Sequence, residues 1–511
     1  MGTPTSAPMP VDESQPIEAT RIERTSPNEP FLVRLQYLET ITPQRFHASE
    51  SLVVTTPDAG LKRLPEGDWK VSFQQSRPAT IAYSVYVKAF EHHETKLLAE
   101  EREQWRGEGY ATFVTTMGRA ITASDGTVYD GRKYWLGIDR CPTERDALAL
   151  KGTLQNEKIW AWIRPEVRSP AEGKLSFIDA SGTTQLVSPS PARIRSAGPV
   201  SLEGARSGKP PLRTTAPIEF ELNTKGNLSV CGSLPLESYL QGILPAEMYP
   251  DWPLEALKAQ AVAARSEIIA HAGGKHFFEG FDFCIEQHCR AFSGEEGHHA
   301  RTDEAVHETT DQVLVDRENA IVPTVFSANC GGWTEHNENV WDGAPAAALR
   351  GHSDQVGGER LQGNGSVESW IRDNPASYCS HDKEYFRWNR SLSLASVSKQ
   401  LNNQYGIGTL QRVEMMERGV SGRLKEIRLV GSRKSEVVRK ELNIRRAFDN
   451  LPSALCTIDV DRKNSVIRVR GAGRGHGVGL CQQGACGMAQ ANQGYDAILQ
   501  HYFHDVRISR L

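Results

Sequence analysis

The chain has 511 residues, of which 39% are hydrophobic and 24% charged, and its formal net charge is −4. A chain of this size is expected to hold two or three domains. The near balance of acidic and basic residues excludes the basic footprint typical of nucleic-acid-binding proteins. No run of about 18 apolar residues occurs, so we expect no transmembrane segment.

The first 28 residues are polar and rich in proline, which predicts a disordered lead-in. They have neither the basic n-region nor the apolar h-region of a secretory signal peptide. Either the protein is cytoplasmic, or a leader has been removed from this numbering. Residues 29–77 show no clear pattern, and we expect an irregular N-terminal segment there.

Residues 78–168 alternate between strand and helix patterns. Strands are predicted at TIAYSVYVKAF, YATFVTTMGRAITAS, KYWLGID and KIWAWIRPEV. Helices are predicted at HETKLLAEEREQWRGEG and at PTERDALALKGTLQ, the second capped by Thr143. The order β-α-β-β-α-β is that of a ferredoxin-like unit. By order and length this unit resembles the SPOR domain, which binds denuded peptidoglycan strands; the alternative is an α+β support domain.

The remainder of the chain mixes strand and helix patterns. Residues 172–232, 310–345 and 411–472 are strand-like, and a helical segment covers 234–271. Residues 354–378 are rich in Gly, Asn and Ser, which predicts an exposed insertion. The expected fold class is α+β, with β-rich regions around a central helical segment and the ferredoxin-like unit in front of it.

One carboxylate, Glu247, follows Pro245 in a short loop of the helical segment. Because the residue before proline avoids the α region, we expect the first helix to end at Pro245. Asp251 and Pro253 are typical of the start of the next helix. Glu247 is either a general acid or a structural group that pairs with Arg265 or caps a helix.

Two effects on the pKa of Glu247 oppose each other. A helix N-terminus stabilises the carboxylate and lowers the pKa. Desolvation beside Tyr249 and Trp252 favours the neutral acid and raises it. A general acid requires the second effect to be the larger one.

A second group of residues has metal-ligand spacing. His276, Cys284, His288 and Cys289 offer two imidazoles and two thiolates, which suit tetrahedral zinc. His271 is an alternative to His276. The competing interpretations are a Cys284–Cys289 disulfide or two buried thiols; the odd total of nine cysteines argues against a complete disulfide framework.

Three motifs, in order, resemble the SpoIID/LytB family (stage II sporulation protein D and the amidase enhancer LytB). They are PLESYLQGILPAEM with WPLEALKAQAVAARS, SANCGGWTEHNENVW over residues 327–341, and GRGHGVGLCQQGACGMAQANQGYDAILQHYF from Gly473 to Phe503. The resemblance covers about residues 172–511 and implies a SpoIID-type catalytic domain. In this family the Glu of the Pro-x-Glu-Met motif is the catalytic acid of a lytic transglycosylase, and that position is Glu247.

The resemblance implies cleavage of glycan strands between MurNAc and GlcNAc with formation of 1,6-anhydro products. Glu247 would protonate the glycosidic oxygen and then deprotonate the muramyl C6 hydroxyl, so no second carboxylate is required to activate water. Glu335 and Asp354 are candidates for a paired acid that stabilises the cation. Some members of the family bind zinc with a His/Cys set in the segment of Cys284. The implied location is extracytoplasmic, because the substrate lies there.

The glycine-rich block 471–479 lacks the strand and acidic residue of a dinucleotide site. We expect instead a close approach of its backbone to a glycan, with His476 orienting the substrate or bonding Glu247. A buried structural histidine is the alternative. The full set of expected substrate-binding residues is Tyr249, Gln260, Arg265, Ser327, Gly331, Gly332, Thr334, Glu335, Asp354, His476, Gln482 and Gln483.

Two rival functions remain open. The amidase-enhancer branch of the family implies a non-catalytic protein that binds peptidoglycan and activates an amidase. Cys330 and Cys481 stand where the family commonly has Ser, and with Cys486 and His476 they permit a Cys/His hydrolase. Small buried side chains, or a Cys330–Cys481 disulfide, are the other interpretations of these cysteines.

Overall fold

The computed structural model describes residues 30–511 apart from 59, 124, 158, 207, 287 and 356–362. The expected lead-in at 1–28 lies outside the described residues. The chain divides into two compact units. The first holds the described residues up to Ala246 with Ile269–His298 and Leu511, and the second holds Glu247–Ile268 and His299–Arg510.

The first unit is rich in strands. It begins with β1 (Leu32–Thr40), β2 (Gln44–Ala48), β3 (Leu52–Thr56), β4 (Gly60–Leu64) and β5 (Gly67–Arg77). Then follow β6 (Thr80–Glu91), α1 (Thr95–Gly107), β7 (Phe113–Met117), β8 (Ala120–Thr122), β9 (Val128–Asp130), β10 (Lys133–Cys141), α2 (Glu144–Asn156) and β11 (Trp162–Ser169). The expectation of an irregular segment at 29–77 is wrong, because five strands occupy it.

The chain continues with strands up to the helical segment. These are β12 (Glu172–Asp179), β13 (Thr184–Pro189), β14 (Ala192–Ser196), β15 (Val200–Leu202), β16 (Leu212–Thr214), β17 (Ile218–Leu222) and β18 (Leu228–Pro235). The helical segment and the strand after it are α3 (Leu236–Glu247), α4 (Leu254–His271) and β19 (Phe283–Cys284).

Two large sheets of the first unit pack on a common core. One has the order β19-β1-β18-β17-β14-β3-β4, and the other has the order β13-β12-β5-β2-β15-β16. Alternate residues of β1 and β2 are buried, as in strands with one covered face. Phe220 of the first sheet contacts Phe46 and Phe177 of the second, with ring centroids 5.7 and 5.9 Å apart. The strands at 32–77 and 172–235 therefore form one β-structure, whereas the sequence placed them in different domains.

The ferredoxin-like unit is an insertion in this β-structure. Its antiparallel sheet has the order β11-β6-β10-β7 and carries α1 and α2, in the predicted β-α-β-β-α-β sequence with a small β8–β9 hairpin added. It has its own apolar core, which includes Phe90, Trp105 and Leu136. The flanking strands β5 and β12 pair with each other, so the insertion leaves and re-enters the sheet at neighbouring positions.

Both central helices differ from their predicted form. α3 continues through Pro245 to Glu247, because Leu244 before the proline is fully buried and tertiary packing holds it in the helix. α4 is buried on nearly all sides from Ala256 to Ser266, and not on one face only. Its many alanines let neighbouring elements approach all around it.

The second unit follows with mixed elements. Up to residue 405 these are α5 (Ala300–Glu308), β20 (Gln312–Val315), β21 (Phe326–Ser327), α6 (Asn337–Val340), α7 (Gly363–Asp373), α8 (Lys383–Phe386), β22 (Arg387–Ser393) and α9 (Leu394–Tyr405). The remaining elements are β23 (Leu410–Arg418), β24 (Leu424–Gly431), β25 (Ser435–Arg439), α10 (Glu441–Ala447), β26 (Cys456–Asp461), β27 (Val466–Ala472), β28 (Leu480–Cys481), α11 (Gln482–Gln490), α12 (Tyr495–Tyr502) and β29 (Arg507–Arg510).

Two three-stranded sheets, β22-β27-β26 and β23-β24-β25, cover one core of this unit. The pairs β20–β29 and β21–β28 lie apart from them in the topology. Residues 354–378 were expected to be an exposed insertion, but their described part is only partly exposed. Val367 of α7 is fully buried against Leu455 and Ala472, and Asp354 is fully buried as well. Among the described residues, no helix is long and apolar enough to cross a bilayer.

Candidate functional site

Glu247 is the last residue of α3 and is partly buried. Its carbonyl oxygen accepts a hydrogen bond of 3.1 Å from Nε2 of Gln482, at the start of α11. The same Nε2 lies 3.4 Å from Oε1 of Gln260 on α4. Gln482 therefore fixes the backbone at Glu247, and Gln260 in turn holds the side chain of Gln482; both glutamines were predicted from sequence.

The loop after Glu247 is held as firmly. The amide of Trp252 donates to the carbonyl of Tyr249, and the two rings pack with centroids 5.6 Å apart. Arg301 donates to the carbonyls of Pro250 and Trp252, each at 2.9 Å. Tyr249 stays 61% exposed, so its ring is available beside Glu247 for contact with a ligand.

Arg265 lies away from this surface. It is completely buried on α4, and its guanidinium donates to the carbonyls of Gln312 and Val306. These bonds join α4 to the end of α5 and the start of β20. We therefore assign Arg265 to the interior, in contrast to the expected contact with substrate.

Glu335 is enclosed rather than exposed to a ligand. One carboxylate oxygen accepts bonds from the amides of His336 and Val420 and from the side chain of Asn339. The other accepts from the hydroxyl and the amide of Ser421. With this many donors and 1% exposure, Glu335 orders the loop at 419–421 and does not face an open surface.

The other residues of the 327–334 segment also turn inward. The hydroxyl of Ser327 accepts from the amide of Gly477, and Thr334 exchanges backbone and side-chain bonds with His352. The carbonyl of Gly331 accepts from Trp370 and Arg387, and the carbonyl of Gly332 accepts from the amide of Asp354. The polar groups of these residues are thus engaged with other protein groups, and few of them remain to bind a substrate.

His476 fits the structural alternative. Its Nδ1 accepts a hydrogen bond from the amide of Val478, and its ring packs on Trp341 at 4.9 Å. Burial, together with the charge of Arg423, lowers the pKa of His476 to about 3. His476 is therefore neutral near pH 7, and its hydrogen bonds go to the backbone of its own surroundings.

Gln483 and Cys486 are buried side chains of α11, in the interior of the second unit. Nε2 of Gln483 donates to Asp382 at 2.8 Å, so this side chain is already bonded. Burial raises the pKa of Cys486 to about 11, which leaves a neutral thiol. A neutral buried thiol and a histidine that the backbone engages do not form an activated nucleophile. Cys486 and His476 therefore do not supply the activated pair of a Cys/His hydrolase. Cys481 differs, because hydrogen bonds to Cys330 and Cys379 outweigh its burial and lower its pKa to about 5.

His276, Cys284, His288 and Cys289 come together as the spacing predicts. Their ligand atoms all lie within 4.8 Å of one another, and His276, not His271, belongs to the group. Nε2 of His276 is 3.2 Å from Sγ of Cys289, while its Nδ1 bonds the carboxylate of Glu279. A carboxylate on the far nitrogen is the usual partner of a metal-binding histidine.

All nine cysteines are free thiols, so neither the Cys284–Cys289 nor the Cys330–Cys481 disulfide is present. Hydrogen bonding to Cys289, and to His276 and His288, lowers the pKa of Cys284. The thiolate is the form that binds a metal. The four side chains thus form a ligand set that suits tetrahedral coordination of a cation such as zinc.

The structure brings together a second group that the sequence did not predict. The ligand atoms of Cys330, Asp354, Cys379 and Cys481 also lie within 4.8 Å of one another, and all four residues are buried. Asp354 was expected to face the substrate, but it is fully buried in this group. Cys379 had no assigned role, because no short spacing links it to the other three.

A cavity of about 250 Å³ in the second unit was also missed. It contains none of the predicted site residues. Charged and aromatic side chains dominate its walls, with Arg474 placed over the ring of Tyr385 at 4.6 Å. Its lining residues are Glu384, Tyr385, Arg387, Trp388, Asn389, Arg390, Pro452, Gly473 and Arg474.

Two family models match the chain. The model described as Stage II sporulation protein (SpoIID) matches residues 224–315, which include Glu247, Gln260 and the His276 group. A domain of unknown function (DUF8618) matches residues 335–479.

Similar proteins extend these matches. An uncharacterized protein of Brachyspira hyodysenteriae is 31% identical over 55% of this chain and 68% of its own length. Stage II sporulation protein D of Bacillus amyloliquefaciens is 24% identical over 59% of this chain and 82% of its own. The amidase enhancer of Bacillus subtilis is 26% identical over 52% of this chain but only 39% of its own. The chain belongs to the SpoIID/LytB family.

Proposed function

We propose that the chain is a peptidoglycan lytic transglycosylase in which Glu247 is both the acid and the base. The observation that carries the proposal is the placement of Glu247 in the family's Pro-x-Glu-Met motif. It is a partly buried carboxylate whose backbone Gln482 anchors, next to the exposed ring of Tyr249. Positioned acids of this kind require a fixed backbone, because small displacements weaken proton transfer.

The proposed reaction needs one carboxylate. Glu247 gives its proton to the glycosidic oxygen between MurNAc and GlcNAc, the C1–O bond breaks, and an oxocarbenium-like species forms. The carboxylate then removes the proton of the muramyl C6 hydroxyl, and the C6 oxygen bonds to C1. The acid is regenerated, no water is consumed, and the products are a 1,6-anhydro-muramyl end and a free GlcNAc end.

The two other acids considered from the sequence take no part in this proposal. Glu335 and Asp354, which were candidates for cation stabilisation, are enclosed by other donors. Tyr249 is the side chain that we assign to sugar contact, because a ring exposed on one side suits the apolar face of a pyranose. Gln260 and Gln482 are assigned to holding the backbone of Glu247.

Two accessory roles follow from the first unit. We assign structural zinc to His276, Cys284, His288 and Cys289, where four protein ligands leave no position for a reactive water.

We also assign glycan binding to the ferredoxin-like insertion as a SPOR-like module. Trp135 and Trp162 pack at 5.3 Å on its sheet, and Trp160 beside them is 44% exposed. Such a substrate places the protein outside the cytoplasm.

The decisive experiment incubates the protein with denuded glycan strands and examines the products by mass spectrometry. We expect anhydro-muramyl ends, which are one water lighter than hydrolysis products. Glu247→Gln should reduce their rate of formation by about 10²- to 10⁴-fold or more, the range for loss of a general acid.

Glu318→Gln is the matched control, since Glu318 is an exposed glutamate of the second unit, and it should keep full activity. Equal product formation by wild type and Glu247→Gln would refute the assignment.

The second candidate function is a non-catalytic activator of a cell-wall amidase. It is favoured by the similarity to the amidase enhancer. If the wild-type protein yields no anhydro ends but accelerates peptide release by an added N-acetylmuramoyl-L-alanine amidase, this function replaces the first.

A further inference from the structure

Four buried side chains that take no part in the proposed reaction converge in the second unit. Cys330 and Cys379 are fully buried with their sulfurs 3.5 Å apart, and Cys481 is 1% exposed. Asp354 is 0% exposed. Each offers one ligand atom within 4.8 Å of the other three.

The four residues come from four separate segments. Cys330 follows β21, Asp354 lies before α7, Cys379 belongs to the 3₁₀ turn Tyr378–His381, and Cys481 caps α11. Buried carboxylates destabilise a fold by several kcal/mol unless a partner compensates their charge. Nε2 of His501 lies 3.5 Å from Oδ1 of Asp354 and can compensate this charge when it is protonated. It does not account for three buried sulfurs beside the carboxylate, which a shared cation would explain.

The dimensions match a single tetrahedral ion. With Zn–S bonds of 2.3 Å, the sulfurs of a tetrahedral site lie about 3.8 Å apart. The Cys330–Cys379 separation of 3.5 Å is close to that value. An iron–sulfur cluster needs room for its own sulfides between the thiolates, which this packing does not provide. Three thiolates and one carboxylate are a donor set that suits zinc.

The surroundings of the group resemble those of a bound metal. The hydroxyl of Tyr502 donates to Oδ1 of Asp354 at 2.6 Å, and the amide of Cys379 donates to Oδ2 at 3.1 Å, which orients the carboxylate. Sγ of Cys481 accepts from the amides of Cys330 and Gly484 at 3.1 and 3.3 Å. Hydrogen bonds to ligating sulfur and oxygen atoms are typical of structural metal sites.

Positive charge near the group offsets the negative charge of its ligands. Three thiolates, one carboxylate and Zn²⁺ sum to a charge of −2. The N-terminus of α11 lies at Cys481, and the charge of Arg387 acts on Cys379 and Cys330. Both oppose the negative charge that remains after metal binding.

We propose that Cys330, Asp354, Cys379 and Cys481 form a second, closed zinc site that ties four segments of the second unit together. It is distinct from the His276 group, because it shares no residue with it. Its role is structural: it fixes the start of α11, which carries Gln482, and the turn that carries Gly331 and Gly332.

The test measures zinc per chain by elemental analysis after removal of loosely bound metal. We expect two equivalents in the wild type, one in Cys481→Ser, one in Cys289→Ser and none in the double variant. Cys486→Ser is the matched control, because Cys486 is a buried thiol of the same helix outside the group, and it should keep two. Equal zinc content of Cys481→Ser and Cys486→Ser would overturn the proposal.

A ligand swap separates metal binding from folding. Asp354→Cys preserves a four-ligand site and should keep the zinc, whereas Asp354→Leu should lose one equivalent. In the Cys289→Ser background, cobalt(II) should give a thiolate charge-transfer band that Asp354→Cys intensifies. Non-reducing peptide mapping that finds Cys330 bonded to Cys379 or Cys481 in the native protein would also overturn the proposal, in favour of a disulfide.

Discussion

At the scale of single residues, the amide of Gln482 has an unusual position. It donates to the main-chain carbonyl of Glu247 and faces the side chain of Gln260. A glutamine at the start of α11 thus restrains the main chain at Glu247 within the second unit.

His476 allows a prediction about pH. Burial lowers its pKa to about 3 in the folded state, against about 6.5 in the unfolded chain. The unfolded state therefore binds a proton first as pH falls. The stability that His476 contributes is complete above about pH 6.5 and is lost between about pH 6.5 and pH 3, by at most about 1.4 kcal/mol per pH unit.

Urea unfolding of wild type and His476→Gln across this range measures the effect. Because Gln keeps one donor and one acceptor but does not titrate, the variant should lose less stability on acidification. The difference between the two curves isolates His476 from other acid-sensitive groups. Parallel curves would contradict the assigned pKa.

A group of ligands can be recognised from sequence only when its residues lie close together along the chain. The His276 group spans 14 positions from His276 to Cys289, so its members were found together. Cys330 lies 49 positions from Cys379 and 151 from Cys481, and only the tertiary fold unites them. Arg265 was misplaced for a related reason: residues on a helix buried all around cannot be assigned a solvent face from periodicity.

At the scale of elements, the glycine-rich loop before β28 packs tightly on Arg423. Gly477 has φ of +75°, and a Cβ placed on it would lie 2.2 Å from the guanidinium carbon of Arg423. That guanidinium is buried and donates to the carbonyls of Trp333 and Cys330. The absence of a side chain at Gly477 is therefore needed to keep the 330–333 turn in place.

Gly477→Ala should destabilise the protein by about 2–4 kcal/mol, the sum of left-handed strain and overpacking. Gly126→Ala is the control, because Gly126 also has positive φ (+84°) but nothing lies within 4 Å of its Cβ position. It should lose only about 1 kcal/mol. Chemical denaturation of both variants checks this, and similar losses would show that contact with Arg423 is unimportant.

Element prediction succeeded where local pattern and packing agree. In the insertion, alternation and the Thr143 cap identified strands and helices that the structure contains, and Thr143 does accept from the amide of Asp146. It failed at Pro245, because the local preference of the preceding residue is weaker than the burial of Leu244. The strands at 32–77 were missed because their partners lie far along the chain, at 172–235.

At the scale of the whole molecule, Asp282 joins distant parts of the first unit. It accepts from the amides of Arg34 and Gly273 and from the guanidinium of Arg119 in the insertion. Its side chain is 0% exposed and that of Arg119 is 10% exposed. Asp282 is two residues from Cys284, so this ion pair connects the insertion to the loop of the His276 group.

Arg119→Ala should destabilise the protein by about 3 kcal/mol, because it leaves a buried carboxylate without its cation. It should also speed the release of metal to a chelator from the His276 group. The control is Arg77→Ala, which breaks an ion pair with Glu172 whose side chains are both more than half exposed. That variant should lose less than about 1 kcal/mol.

Urea denaturation and metal release, measured with a chelating dye, test both variants. If Arg119→Ala releases metal at the wild-type rate, the ion pair between Arg119 and Asp282 does not stabilise the His276 group, and the prediction is wrong.

The pairing of β5 with β12 around the insertion has a consequence for folding kinetics. Within the insertion, its first and last strands also pair, with Thr80 opposite Ser169. The folded insertion therefore presents its two ends one strand spacing apart, about 4.8 Å. Arg77 and Glu172, which pair just beyond those ends, then meet without a further search over a long loop. The insertion is thus expected to fold early and to act as the nucleus from which β5 and β12 pair.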